Sequence, residues 1–347
     1  MGLPVLPAAS QILPDTTTYL CDAGFTAATL EKAAGVMQKF HGAFSQSIKA
    51  SAGVLSVCDT LPQDTKFIRR CGGIAEAVLQ KLGSHAFTKR RPEDTAPYLA
   101  YLQKRCDEEA SLHFRIVVGP VKNVRRYGAQ QEPDLAEYLM LMQLARLMEA
   151  VARIYPYGVR VQLVPDDLRG RIANDWPEEY SRRYIRGLWQ MVRELQFHHW
   201  LEVEPGQARL YEEYNVPKYL PEAKEEVVAD PHFSLHLTQA CLKARENLIT
   251  QGAAAVSASL IRESAMRYLV CHKAEILSGM WSPEDAFALI YANHPGNFQL
   301  YTMKQGVTKL PWQVKLPFEC LAGRQSSYEK SRHSPSDIAL IEPHACA

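Results

Sequence analysis

HFRIVVGPVKNVRRYGAQQEPDLAEYLMLMQLARLMEAVARIYPYGVRVQLVPDDL, residues 113–168, is the stretch that decides the fold. Its first run, Phe114–Val118, is short and β-branched and stops at Gly119-Pro120, which predicts a strand. A helix is predicted from about Pro133 to Ile154, because Pro133 suits a first helical turn and Asp134 and Glu137 complement the positive end of its dipole. Most of its positions are apolar, with Arg146, Glu149 and Arg153 confined to one face, so the helix is expected to be largely buried. Tyr155-Pro156-Tyr157-Gly158 ends it, and Val159–Val164 reads as a second strand.

Two strands joined by a helical crossover are parallel, so their carboxyl ends lie on one edge of the sheet. That places Gly119–Lys122 beside Pro165-Asp166-Asp167-Leu168-Arg169, where open α/β sheets bind ligands. The 119–132 loop is longer than such a connection needs, and it carries Lys122, Arg125, Arg126 and Tyr127, which suit an anionic ligand. The plainer alternative is a solvated basic loop and two helix-capping aspartates.

The rest of the chain bounds the class. With 47% apolar and 22% charged residues, the composition is that of a globular domain. A net charge of +1 is too small for a nucleic-acid surface, and no apolar run is long enough to span a bilayer. The opening MGLPVLPAASQILP lacks a basic residue, and the eight cysteines are scattered without a C-x-x-C pair; together these predict reduced thiols and a cytoplasmic location. The expected partner is a small-molecule substrate, with no nucleic acid and no membrane, and a homo-oligomer stays open.

Residues 1–110 read as mainly helical and are expected to pack on the core. Helices are predicted over Thr26–Ile48, from Leu61-Pro62 to Gly83, and from Arg91-Pro92 past Cys106. After the central unit, Asp175-Trp176-Pro177 starts a helix. Trp200–Glu204 and Ala208–Glu212 suggest a hairpin, and Tyr214–Leu220 an extended segment. Helices near 233–250 and 256–279 follow, then a short one from Ser282 to Ala292 and strands at Phe298–Met303 and Trp312–Leu316. Residues 321–347 are polar and read as a disordered tail. The expected architecture is α/β: a Rossmann-like, mostly parallel sheet over 111–320, helices on both faces, and an N-terminal helical elaboration.

Dinucleotide, P-loop, nucleophile-elbow and HExxH motifs are all absent. His232 and His236 have a spacing that suits a metal, but a chance pair on an exposed turn explains them, and no metal is expected. His294, in a His-Pro-Gly turn before the Phe298 strand, is a candidate acid or base or else a plain surface residue. Tyr127, Tyr155, Tyr157, Tyr291, Tyr301 and Trp312 fall near the predicted sheet edge and suit either a core or a pocket for a cation or an aromatic side chain.

The order FRIVVGPVKN, PDLAE, IYPYGVRVQLVPDD resembles the isocyanide (isonitrile) synthase family, also called the pyoverdine/dityrosine biosynthesis family. Leu310–Gln313, LPWQ, is similar to a Pro-Trp-His near that family's C-terminal strands. Two positions depart: the family's Ser-Asp-Gly is Pro165-Asp166-Asp167 here, and its histidine is Gln313. The resemblance implies a Rossmann-like fold and a natural-product enzyme that condenses an amino acid's amine with ribulose 5-phosphate, leaving an isocyanide. It implies Lys122 for phosphate or carboxylate and Asp166 for a proton. The catalytic candidates are thus Asp166, Asp167 and His294; the binding candidates add Glu137, Tyr155, Arg169, Tyr301 and Trp312 to the loop residues. No tightly bound cofactor is expected. The departures leave open a second reaction, cyclisation of S-adenosylmethionine to azetidine-2-carboxylate with release of methylthioadenosine, which needs orientation, desolvation and aromatic faces more than acid–base groups. A non-catalytic binding protein is the third reading.

Overall fold

The computed structural model describes residues 16–51, 53–57, 63–122, 130–250, 256–282, 286–291, 296–307 and 309–321. Its eight strands are β1 (Ile48–Ser51), β2 (Val54–Val57), β3 (Thr88–Arg90), β4 (Leu112–Val118), β5 (Val159–Pro165), β6 (Leu201–Val203), β7 (Phe287–Ile290) and β8 (Phe298–Leu300). They form one sheet in the order β1-β2-β5-β4-β7-β8-β3, with β6 also on β5. β2 meets the edge of β5 at Val159, and β6 runs along it from Val161 to Leu163.

The five strands from β4 to β8 are parallel. Side by side they run β6, β5, β4, β7, β8, which is the Rossmann order. The chain winds outward from β4 in one direction through β5 to β6, then returns to the other side of β4 for β7 and β8. The order therefore reverses between β4 and β7, and a crevice opens there above the carboxyl ends.

Alternation along the strands assigns the two faces. Phe114, Ile116, Val118, Leu163, Phe287 and Leu289 pack in the main core with the crossover helix Leu135–Ala152. That helix is buried almost all round, which explains its weak amphipathicity. Val164 lies on the opposite face, against Leu210 and Tyr211 of the helix Ala208–Glu213 and Ala274 of the helix Ala258–Leu277. Helices thus cover both faces, as the sequence predicts.

Four local expectations fail. Ala208–Glu213 is a helix, so β6 has no hairpin partner and pairs in parallel with β5. Val216–Tyr219 is a single 3-10 turn leading into the helix Leu220–Ala229. The segment expected as a short helix after Ser282 contains β7, whose Phe-Ala-Leu-Ile is a buried parallel strand too short for periodicity to separate from a helix. Pro311–Gln313 is a 3-10 turn rather than a strand. The N-terminal region also does more than pack helices on the core: it donates the β1–β2 hairpin and β3 to the sheet edges. Residues 322–347 lie outside the described residues.

Gly158 starts β5 with φ at +88°, and a Cβ there would sit 2.0 Å from Val54 Cγ1 of β2. Left-handed backbone alone costs a non-glycine residue about 1–2 kcal/mol. Gly158→Ala is expected to lose at least that, about 2 kcal/mol or more, read as a lower denaturation midpoint at unchanged slope.

Candidate active site

A cavity of about 590 Å³ occupies the crevice where the strand order reverses. Its floor is Arg115 and Val117 of β4 and Ala288 and Ile290 of β7. Its walls are Asp166, Arg169, Gly170 and Asn174, the helices Phe233–Thr250 and Ala258–Leu277, and the Leu310–Gln313 turn. The Asp166 amide donates to Val118 O at 2.9 Å, which fixes the end of β5 against that of β4. Gly119 lets the turn pass beneath Trp312, for a Cβ there would lie 2.3 Å from the indole.

One polar cluster dominates the wall. Arg169 donates through Nε and Nη2 to Asp166 Oδ2 (3.2 and 2.6 Å) and through Nη1 to Glu275 Oε2 (2.8 Å). Its guanidinium lies 5.1 Å from the centroid of the Tyr268 ring. Glu275 also accepts from Tyr211 OH (2.7 Å) and Trp281 Nε1 (2.9 Å). Arg169 Nη1 lies 3.1 Å from His272 Nδ1, and the same ring nitrogen lies 3.9 Å from Glu275 Oε2.

The two carboxylates that share Arg169 differ. Burial works against the charge on Glu275, but Arg169, His272 and Trp281 outweigh it and hold its carboxyl below the usual range. Burial pushes Asp166 up, Arg169 only partly opposes this, and the Glu275 charge adds to it. Asp166 Oδ1 is buried and accepts no hydrogen bond. Asp166 is therefore the carboxylate of this pair equipped to take a proton, and Glu275 the one that stays charged.

Asp166, Arg169, Trp312 and Lys122 line the cavity. The Lys122 ammonium is turned into the protein, toward Glu137. Lys122 is 0% exposed, and its ammonium donates to Asp134 Oδ1 (3.1 Å), to both oxygens of Glu137 (3.0 and 2.9 Å) and to Pro311 O (2.9 Å), so its protons are spent inside the protein. Glu137 also accepts from Tyr184 OH and from the Asp134 amide, closing a capping box on the crossover helix. Asp167 faces away from the cavity: it accepts from the Gln207 amide at 2.7 Å and pairs with Arg171. Tyr155 sits at the opposite end of the sheet, its hydroxyl donating to Ala110 O. Tyr301 follows β8 and donates its amide to Phe87 O near β3. Arg125, Arg126, Tyr127 and His294 lie outside the described residues. His236 pairs with Asp230, and the described residues contain no cluster of three or more metal-ligating side chains.

Sequence reading missed Tyr268, His272 and Glu275, which line or support the cavity. Their spacing of four and three residues puts them on one face of a helix, and that polar stripe was the available signal.

A charged, aromatic-walled crevice thus lies at the reversal point of a Rossmann-ordered sheet, the place where sheets of this order hold small molecules in general. Residues 120–266 match a family described as pyoverdine/dityrosine biosynthesis proteins, so the resemblance read from the sequence holds. The match supports a biosynthetic enzyme of the pyoverdine and isonitrile-synthase-like kind. The crystal structure of the PvcA protein from Pseudomonas aeruginosa is similar, with 17% identity over 69% of this chain and 88% of that one, at a TM-score of 0.53, and it shares the fold. A cyclodipeptide synthase from Bacillus thermoamylovorans aligns at 14% identity over 54% of this chain and 79% of that one, but its TM-score of 0.28 carries no argument. No curated protein matches. No helix among the described residues is long and apolar enough to cross a membrane.

In the Lys122 cluster, one ammonium meets two buried carboxylates. Burial foremost pushes Glu137 from its usual 4.5 up to about 7. Between these values the folded chain binds more protons than the unfolded one, so this group's stabilising contribution is present below 4.5 and is lost as pH rises through about 7. Glu137→Gln removes that titration. The stability of the wild type relative to Glu137→Gln is expected to fall over this window in paired urea titrations.

Proposed function

We propose that this protein is a biosynthetic enzyme that modifies the amine of an amino acid or amino-acid-derived substrate in the crevice between β4 and β7. The observation that carries the reading is Asp166: a carboxylate with one oxygen fixed by Arg169 and the other, Oδ1, buried without a partner. Asp166 lines the cavity and, because burial raises the proton affinity of its carboxylate, can take a proton from a substrate ammonium group. Arg169 keeps the carboxylate in one orientation, and Glu275 keeps Arg169 in place. The proton leaves a substrate nitrogen for the Asp166 carboxylate, which makes that nitrogen a nucleophile. In the isocyanide-synthase-like form of the reaction the nitrogen attacks the carbonyl of ribulose 5-phosphate, bound as co-substrate.

A second reading has an observation of its own. Trp176, Tyr268, Trp281, Tyr291 and Trp312 line the cavity, and aromatic faces favour a sulfonium as they favour any cation. Lys122, which the resemblance implies for holding phosphate or carboxylate, donates to its own cluster instead. Both points favour S-adenosylmethionine, cyclised by attack of its amine on the γ-carbon with loss of methylthioadenosine. Asp166 takes the same proton in either reaction. Neither needs a tightly bound cofactor, and the partner in both is a small molecule rather than a nucleic acid or a membrane.

Unfolding measured with ribulose 5-phosphate and, separately, with S-adenosylmethionine divides the two. Either ligand at about 100 times its dissociation constant stabilises the fold by about 2.7 kcal/mol. A shift with the sugar phosphate supports the isocyanide reaction, to be followed with tyrosine and tryptophan; a shift with S-adenosylmethionine alone supports cyclisation, to be followed by methylthioadenosine release. In whichever reaction is found, Asp166→Asn is expected to lower turnover about a hundredfold or more with the fold intact. An Asp166→Asn enzyme as active as the wild type removes Asp166 from its role.

A further inference from the structure

The described residues bury three cations: Lys122, Arg169 and Arg115. The first two face carboxylates, Lys122 those of Asp134 and Glu137, Arg169 those of Asp166 and Glu275. Arg115, only 5% exposed, makes no ion pair among the described residues. Its partners are neutral: Nε donates to Gln162 Oε1 (2.9 Å), and Nη1 donates to Met280 O (2.7 Å) and weakly to Tyr214 OH (3.4 Å). The Tyr214 ring lies 5.5 Å from the guanidinium. The acid nearest in this chain of contacts is Glu204, which is reached through Gln162 and is itself bound by Arg209.

A guanidinium keeps its charge inside a protein, and a buried charge without a counterion is costly. The cost is accepted here on the cavity floor. Arg115 is paired in the sheet with Gln162 of β5 on one side and Ala288 of β7 on the other, and the small Ala288 side chain leaves room beside it. Gln162, Met280 and Tyr214 orient the guanidinium, while Nη2 has no acceptor among the described residues. This oriented, uncompensated cation lies between the two strands where a ligand enters a sheet of this order.

We propose that Arg115 is the receptor for an anionic oxygen group, a carboxylate or a phosphate, of the molecule that binds in this cavity. The proposal rests on the reading that the cavity is a substrate site, but not on which reaction occurs there. It gives the site two poles, a cation between β4 and β7 and the Asp166 carboxylate at the end of β5. The preferred ligand carries an acid and a basic nitrogen.

The test is calorimetric titration of the full chain with inorganic phosphate and, separately, with acetate. The wild type is expected to bind at least one of them. Arg115→Met is expected to weaken that binding about tenfold or more, the worth of a charged hydrogen-bonded contact. Arg115→Lys, which keeps a charge but not the planar fork, weakens it less, and Arg182→Met on the exposed surface leaves it unchanged. Loss of phosphate binding identifies a phosphoryl ligand, and loss of acetate binding a carboxylate. Equal affinity in Arg115→Met and the wild type, or no binding of either anion to the wild type, overturns the proposal. If Arg115→Met fails to fold, Arg115→Lys decides, and an affinity equal to that of the wild type overturns it. The titration reads binding and not turnover, so the two ideas fail separately: an Arg115 effect on anion binding beside an enzyme assay that shows no turnover on amines sinks the reaction, while turnover in that assay without an Arg115 effect on binding sinks the anion receptor.

Discussion

One buried ammonium holds together the pieces that make the crevice. Lys122 lies just beyond β4, Asp134 and Glu137 begin the crossover helix, and Pro311 belongs to the turn that walls the cavity. Asp134 also accepts from the Leu316 amide at 2.7 Å, and Tyr184 brings in the helix Glu178–Glu194. Four segments distant in sequence meet at a single charge. Each acceptor is where it must be for the others to be satisfied, which is how a buried polar network specifies one arrangement rather than several. The Trp312 ring over Gly119 depends on that arrangement, because the turn that carries it is anchored by Pro311.

The two faces of the sheet do different work. The face toward the crossover helix is apolar and packs like any core. The other carries a polar row, Arg115 and Gln162 bonded across β4 and β5 and continued to Glu204. Putting polar groups on one face concentrates the chemistry there, and the reversal of strand order opens that face to ligands at one point. The Arg169 cluster stands over the same opening from the helical side. Stability and reactivity are thus separated by the sheet rather than by distance along the chain.

The sequence made the fold class legible because β4, the crossover helix and β5 are long, consistent segments whose joint geometry allows few topologies. It also placed Asp166, Arg169 and Trp312 at a sheet edge. It erred where local signals were ambiguous: Phe287–Ile290 is too short to show a period, and β6 lacks the hairpin partner suggested by nearby residues. The misassignment of Lys122 has a different cause. A lysine in a βα loop has the same appearance whether it meets a ligand or two carboxylates that fold back on it, and only the tertiary structure brings Asp134 and Glu137 to it. Arg115 was hidden for the converse reason: within a β-branched strand it reads as part of a core. Tyr155 was placed at the wrong end of the sheet, because adjacency to a strand does not tell which end carries the site.

The bond from Lys122 to the Pro311 carbonyl spans 189 positions of the chain. A ribosome adding about 5–20 residues per second needs roughly ten to forty seconds to travel that distance. For that interval the nascent chain holds β4 and, once made, the crossover helix with the charge cluster unsealed and the crevice lacking one wall. The crevice is thus complete only once the Leu310–Gln313 turn has been made, and the emerging core is exposed to chaperones and proteases until then.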